Sequence, residues 1–326
     1  MASSFSDVGR NGRAGSGIEA AMKTKRDHLW ALVLAGGDGT RLQSLTRQLT
    51  GAPIPKQYCR ILGDRSLLEA TLERLAPLVT PARTLAVVNR SHLPLARPQL
   101  AALPTGNVLV QPRNRDTGPG ILLSLLELSR RDPEATVAMF PSDHDVRDER
   151  AFRRHVMEMT AVVARHPRHI VLLGARPDRV ETGYGYISPG SRLTGTAGAV
   201  FRVRTFHEKP DHERAARIIR RGGLWNSFVM VGRVARLVDL LQGALPDEVA
   251  RLAALPADAE ALASAYEAMP SWNFSSDFLQ RIAKHLVVTR GDHLGWSDWG
   301  TPESIERTFA VLGLTPPWQA QGLATA

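Results

Sequence analysis

The stretch Val33-Leu34-Ala35-Gly36-Gly37-Asp38-Gly39-Thr40-Arg41-Leu42 decides how this chain is read. A β-branched and leucine run breaks into three glycines and then an arginine, so a buried strand feeds a loop whose backbone can press against an anion. Pro55-Lys56-Gln57 follows shortly after, and Arg41 and Lys56 bring the charge that a triphosphate needs. A dinucleotide fingerprint would require a third glycine where Leu42 stands, and a Walker A loop would end in Gly-Lys-Ser/Thr. Neither pattern fits.

Further segments follow in order: Pro141-Ser142-Asp143-His144, Thr182-Gly183-Tyr184-Gly185-Tyr186-Ile187, Glu208-Lys209-Pro210, Trp225-Asn226-Ser227 and Trp296-Ser297-Asp298-Trp299-Gly300. Together with the glycine loop and Pro55-Lys56-Gln57, this ordered set resembles the sugar-phosphate nucleotidyltransferases, and most closely the mannose-1-phosphate guanylyltransferases. The resemblance covers roughly residues 29 to 312.

Outward from the glycine loop, short apolar runs alternate with amphipathic stretches. Strands are expected at Leu29 to Leu34, Thr84 to Val88, Val108 to Val110, Thr136 to Phe140 and His169 to Leu173. Helices are expected at Ser66 to Leu75, Gly120 to Ser129 and Ala151 to Ala164. The alternation predicts an α/β fold with a mostly parallel sheet covered by helices on both faces. The resemblance sharpens this to the Rossmann-like, nucleotide-diphospho-sugar transferase type, without the C-terminal β-helix that some relatives append. Beyond Pro189 the pattern becomes extended, over Val200 to Phe206. A helix near Asp211 to Arg220 and a strand near Ser227 to Val231 then follow. We read about 183–232 as a sugar-side insertion and about 233–285 as helical. Residues 1–27 and 316–326 are expected to be flexible tails flanking one domain over 28–315.

Composition narrows the partners. The chain has 326 residues, a formal net charge of +9 and a pI near 10.4, which points to anionic ligands. The arginines are spread along the chain instead of being concentrated on one element with interleaved aromatics, which favours phosphorylated small molecules over nucleic acid. There is no apolar run long enough to cross a bilayer and no secretory h-region, so a cytoplasmic protein is expected. The lone Cys59 fits a reducing compartment and reads as a small buried residue. The amphipathic 233–285 segment suits either a homo-oligomer interface or packing on its own domain.

The resemblance implies a nucleoside triphosphate and a hexose 1-phosphate, which for the mannose-1-phosphate guanylyltransferases are GTP and mannose 1-phosphate. Ala35, Gly36, Gly37, Gly39, Thr40 and Asp116 would bind the nucleotide. Arg41 and Lys56 would neutralise the phosphates, and Asp143 and Asp298 would hold Mg²⁺. Gly185, Glu208, Lys209 and Asn226 would bind the sugar phosphate. Read locally, Asp143 and Asp298 could instead be helix caps, and Asp145 and Asp148 would be solvated or capping. His144 reads as a hydrogen-bonding partner in its turn, because a phosphate monoester dianion is already a competent nucleophile.

Five departures from the family pattern stand out. Asp116 replaces an asparagine in Arg115-Asp116-Thr117-Gly118-Pro119, where the family has alanine before the proline. Phe228 stands where glycine is usual, and Trp299 where a small apolar residue is usual. Ile282 takes the place of a glutamate. These changes motivate two alternatives: a different hexose or base, and a catalytically silent regulator that binds nucleotide or sugar phosphate.

Overall fold

The computed structural model describes residues 28–255 and 258–320. The tail expected at 1–27 and residues 321–326 lie outside the described residues. Eleven strands are present among the described residues: β1 (Leu29–Leu34), β2 (Thr84–Asn89), β3 (Val108–Gln111), β4 (Thr136–Pro141), β5 (Asp145–Val146), β6 (Ile170–Ala175), β7 (Gly185–Arg192), β8 (Val200–Glu208), β9 (Leu224–Arg233), β10 (Leu286–Gly291) and β11 (Trp296–Ser297). Nine form one sheet in the order β3-β2-β1-β4-β9-β6-β10-β8-β7, and β5 pairs with β11 in a separate ribbon.

Strand β1 shows why the sheet is covered on both faces. Trp30 and Leu32 join one apolar cluster with Ile121, Leu125 and Leu128 of the helix Thr117–Arg131. Leu29, Ala31 and Val33 join the opposite cluster with Phe152, Val156 and Val163 of the helix Glu149–Arg165. A side-chain period of two sends alternate residues to opposite faces, so a strand buried on both sides reads as a continuous apolar run. The pairings of β1 with β2 and β4, of β2 with β3 and of β6 with β10 are parallel.

The expected sugar-side insertion is corrected by this topology. Strand β9 lies between β4 and β6 at the centre of the sheet, antiparallel to both, and β8 pairs with β10. Strands β7, β8 and β9 therefore belong to the sheet, with the helix His212–Arg220 between β8 and β9. The helices Val234–Ala244 and Pro246–Ala253 bury Leu237, Leu241, Val249 and Leu252 in the cluster that includes the helix Thr117–Arg131. Packing on the parent domain thus accounts for their amphipathic faces. The tail boundary at 316 also moves: Pro317–Ala320 is helical, and the Trp318 ring meets Phe309 edge-on at 5.6 Å.

The functional segments converge because of register. Leu34 pairs with Val87 and with Pro141, so the chain leaves β1, β2 and β4 along one sheet edge. Asn226 lies near the start of β9 at the same edge, opposite Gly174. In open α/β sheets this carboxyl edge is where ligands bind. No helix among the described residues is long and apolar enough to cross a membrane.

Candidate active site

A cleft of ≈ 650 Å³ opens along that edge. On its phosphate side, buried side chains hold the carbonyls of the glycine loop. Gln57 donates to the carbonyls of Ala35 (3.2 Å) and Gly37 (2.7 Å), Tyr58 donates to Ala35 (2.7 Å), and Asn89 donates to Gly36 (2.6 Å). Among the described residues, the N–H groups of Gly36, Gly37 and Asp38 have no protein acceptor. A loop with its carbonyls fixed inward and its N–H groups free is a cradle for anions. Gly39 adopts φ 59°, and a Cβ there would lie 3.2 Å from the Lys56 nitrogen, so the loop closes directly onto Pro55-Lys56-Gln57.

Ala35, expected to touch the nucleotide, is fully buried, and its N–H donates to the Val87 carbonyl, so its role is to support the loop. Thr40 and Arg41 are exposed at the rim. A Cβ at Gly183 would lie 3.6 Å from Arg41 Nη1, which places the guanidinium against the 182–185 turn. Asp38 accepts from Asn114 at 2.7 Å, and its other oxygen lies 3.2 Å from His92 Nε2.

The back wall of this side carries a polar network that the sequence reading missed. Tyr266 donates to Gln111 (3.2 Å), and Gln111 donates to Asn89 (3.2 Å). A Cβ on Gly36 or on Gly120 would meet the Gln111 amide at 2.8 or 2.7 Å, so both glycines make room for that side chain. Asn89 and Gln111 each terminate an apolar strand, and the polar residue at that point was the only signal in the sequence. Asp116 lines the cleft with φ 66°, caps the helix Thr117–Arg131 through Thr117 N (2.6 Å) and accepts from Asn273 (3.1 Å).

The two aspartates expected to bind metal meet through the β5–β11 ribbon. Ser297 pairs with Asp145, which brings the turns containing Asp143 and Asp298 together. Neither is a helix cap, because Asp148 and Thr301 cap the adjacent helices. Lys56 is buried beneath them. Its ammonium lies 3.2 Å from Asp143 Oδ2, and it donates to the carbonyls of Asp298 and of Trp299 (2.9 Å). Burial pushes the Asp143 carboxyl up, but the Lys56 ammonium outweighs it and holds Asp143 below the usual range. Tyr184 donates to Asp298 Oδ1 at 2.5 Å, and Gly300 N donates to the same oxygen at 2.8 Å.

His144 accepts from the Trp296 indole N–H at Nδ1 (3.2 Å), while its Nε2 lies 3.6 Å from Asp143. Burial lowers its pKa, consistent with a neutral ring that orients the aspartate turn. Asp145 is a correction: it is half-buried in β5, and burial pushes its carboxyl up to about 6 against the pull of Arg74 and Arg147. Among the described residues, each of Asp143 and Asp298 keeps one oxygen that accepts no hydrogen bond. Among the described residues no group of three or more His, Cys, Asp or Glu side chains could hold a metal. Two carboxylates fit a hard divalent cation that takes its remaining oxygens from phosphates and water.

On the sugar side, Gly185 pairs with Glu208, and a Cβ on Gly185 would lie 2.7 Å from Glu208 Oε2 and 3.3 Å from the Asn226 Cβ. Burial raises the Glu208 carboxyl despite the Lys209 ammonium 4.0 Å away. Lys209 is exposed at the edge of the cleft with φ 44°. Phe228 lines the cleft with φ 60°, so it keeps a backbone conformation suited to glycine while adding a ring against Phe274. Trp299, φ 47°, is buried and donates to Thr308 at 2.9 Å. Trp225 is a core residue packed against Tyr184, and Cys59 and Ile282 are likewise buried.

The cleft thus gathers Gly36, Gly37, Asp116, Asp143, Gly185, Glu208, Asn226 and Asp298. Gly39, Thr40, Arg41 and Lys209 stand around it, and Ala35 and Lys56 lie beneath.

The nucleotidyl transferase family is matched over residues 30–312. XanB, a xanthan biosynthesis protein of Xanthomonas campestris pv. campestris (strain B100), is 33% identical over 284 residues, covering 84% of this chain and 58% of the relative. Mannose-1-phosphate guanylyltransferase of Escherichia coli (strain K12) is 32% identical over 290 residues, covering 85% of this chain and 59% of the relative. The chain therefore spans 58–59% of the length of these two curated relatives. The crystal structure of mannose-1-phosphate geranyltransferase from Thermus thermophilus is similar with a TM-score of 0.75 at 33% identity, covering 87% of this chain and 79% of that one.

Proposed function

Because the chain belongs to the nucleotidyl transferase family, we propose that it forms a nucleoside-diphosphate sugar and pyrophosphate from a nucleoside triphosphate and a hexose 1-phosphate. A phosphate oxygen of the sugar attacks the α-phosphorus. The bond from that phosphorus to its bridging oxygen breaks, and pyrophosphate leaves with the electron pair. No proton transfer and no protein nucleophile are needed, so catalysis is positioning and charge neutralisation.

The free N–H groups of Gly36 and Gly37 bind the triphosphate, with Arg41 drawing charge toward the leaving group. Glu208 and Asn226 accept and donate to sugar hydroxyls, and Lys209 reaches the sugar phosphate from the rim. Asp143 and Asp298 hold Mg²⁺, which when bound supplies charge stabilisation to the phosphate oxygens. Lys56 keeps both aspartate turns in register. Mannose 1-phosphate with GTP is the first pair to test, supported by the names of the relatives.

The observation that carries this reading is the pair of aspartates joined through Lys56 at one end of the glycine-loop cleft. The test is pyrophosphate release with Mg²⁺ over a grid of nucleoside triphosphates and hexose 1-phosphates, with products identified by mass. One strong combination fixes base and sugar together. A blank grid beside intact nucleotide binding overturns the transfer reading in favour of a silent binding regulator.

A further inference from the structure

A second concave site lies outside the cleft. A pocket of ≈ 430 Å³ between β8, β7 and the helix His212–Arg220 is lined by Arg204, Arg214, Arg217 and Arg221 with Ser188 and Thr205. Among the described residues no carboxylate lines it. Arg214, Arg217 and Arg221 fall at i, i+3 and i+7, one stripe of a helical path, and they face a fourth arginine on the strand. Thr205 and Ser188 are register partners on neighbouring strands, which places two hydroxyls side by side on the pocket floor.

Among the described residues, the guanidinium groups of Arg204, Arg214 and Arg221 have no carboxylate within the 4.0 Å of an ion pair, and Arg217 has only the exposed Glu213, at 3.2 Å. Complementing the helix dipole explains basic residues in the last turn of this helix. It does not explain Arg214 in the first turn or Arg204 on the strand. Four like charges converging on one hollow repel one another, and an anion in that hollow would remove the repulsion. A guanidinium presents a planar fork of donors suited to phosphate oxygens, and hydroxyls add uncharged donors.

We propose that this pocket is a binding site for a small ligand carrying two or more phosphate groups, separate from the catalytic cleft and independent of the reaction proposed above. Concave shape and limited volume suit a phosphate chain better than a nucleic-acid backbone, which requires an extended track. The site backs onto the sugar side: Glu208 lines the cleft, and its neighbour His207 on the same strand lines this pocket.

The test is calorimetric titration of the full chain, without divalent metal, with inorganic tripolyphosphate, ATP and a short DNA duplex. Wild type is compared with Arg214→Gln/Arg221→Gln and with Arg204→Gln, and folding is checked by circular dichroism. The neutral single variant keeps the test decisive should the double variant fold poorly. The expected result is a tripolyphosphate component that weakens at least tenfold in either variant, while any component due to the cleft is unchanged. Equal loss of ATP and tripolyphosphate binding identifies a phosphate-chain site, and a larger effect on ATP identifies a nucleotide site. Isotherms identical to wild type overturn the proposal, as does duplex binding lost in the variants without any tripolyphosphate component.

Discussion

The ammonium of Lys56 lies 3.2 Å from Asp143 Oδ2 while also donating to the carbonyls of Asp298 and Trp299, so one buried cation fastens two turns about 150 residues apart in sequence. With Asp143 held below the usual carboxylate range, its folded pKa lies under its unfolded one. The stabilisation is present above the ordinary carboxylate range and is lost as pH falls through the depressed value. Lys56→Met should cost about 1–3 kcal/mol near pH 7 by leaving polar groups unpartnered. In urea unfolding, the gap between wild type and variant should hold from pH 7 to about pH 4 and narrow as pH falls below the ordinary carboxylate range. A gap that does not change with pH would mean that Lys56 and Asp143 are not coupled.

Asp298→Asn separates charge from geometry. The amide oxygen can still accept from Tyr184 and Gly300 N, so stability should stay within about 1 kcal/mol of wild type. Pyrophosphate release should fall by about 100-fold or more, as it should in Asp143→Asn. Wild-type turnover in either variant would remove the metal assignment.

Phe228 occupies φ 60°, a region costly for any residue with a Cβ. Phe228→Gly should therefore be more stable than Phe228→Ala by about 1 kcal/mol, the reverse of the order in an ordinary strand. Denaturation midpoints of the two variants decide it.

Gly118 packs its backbone on Trp272, and an added Cβ would fall into the indole ring. Gly118→Ala, which restores the residue usual in the family, should destabilise by about 1–3 kcal/mol. Most of that loss should disappear in a Trp272→Leu background, giving a measurable coupling energy in a double-mutant cycle. Additive losses would show that the ring is not the obstacle.

Much of this was legible in the sequence because it depends on local pattern. The alternating apolar runs marked the strands on one side of the sheet, and ordered short motifs marked Gly36, Asp143, Gly185, Glu208 and Asp298. What escaped depends on strand order. Asn89 and Gln111 meet only because β2 and β3 are neighbours, and Tyr266 reaches them from the distant helix Ala259–Ala268; a single amide closing an apolar run looks the same whether or not it meets another. Strand β9 reads as part of an insertion because the extended pattern preceding it gives no sign of a return to the sheet centre. Asp145 reads as solvated because its burial comes from the ribbon partner at Ser297, about 150 residues later.

The pairing of Asp145–Val146 with Trp296–Ser297 also sets when the cleft becomes competent. During synthesis the glycine loop, β4 and Asp143 are made early, yet the second carboxylate and the carbonyls that receive Lys56 arrive only after all nine strands of the main sheet have been made. A chain clipped between Gly291 and Trp296 would retain every strand of that sheet while lacking Asp298 and the Trp299, Ile305 and Phe309 side chains that pack with Leu42 and Ile61 beside the glycine loop. The C-terminal segment thus completes two things at once, the pair of carboxylates and the apolar footing of the glycine loop, which precedes it by about 250 residues in the chain.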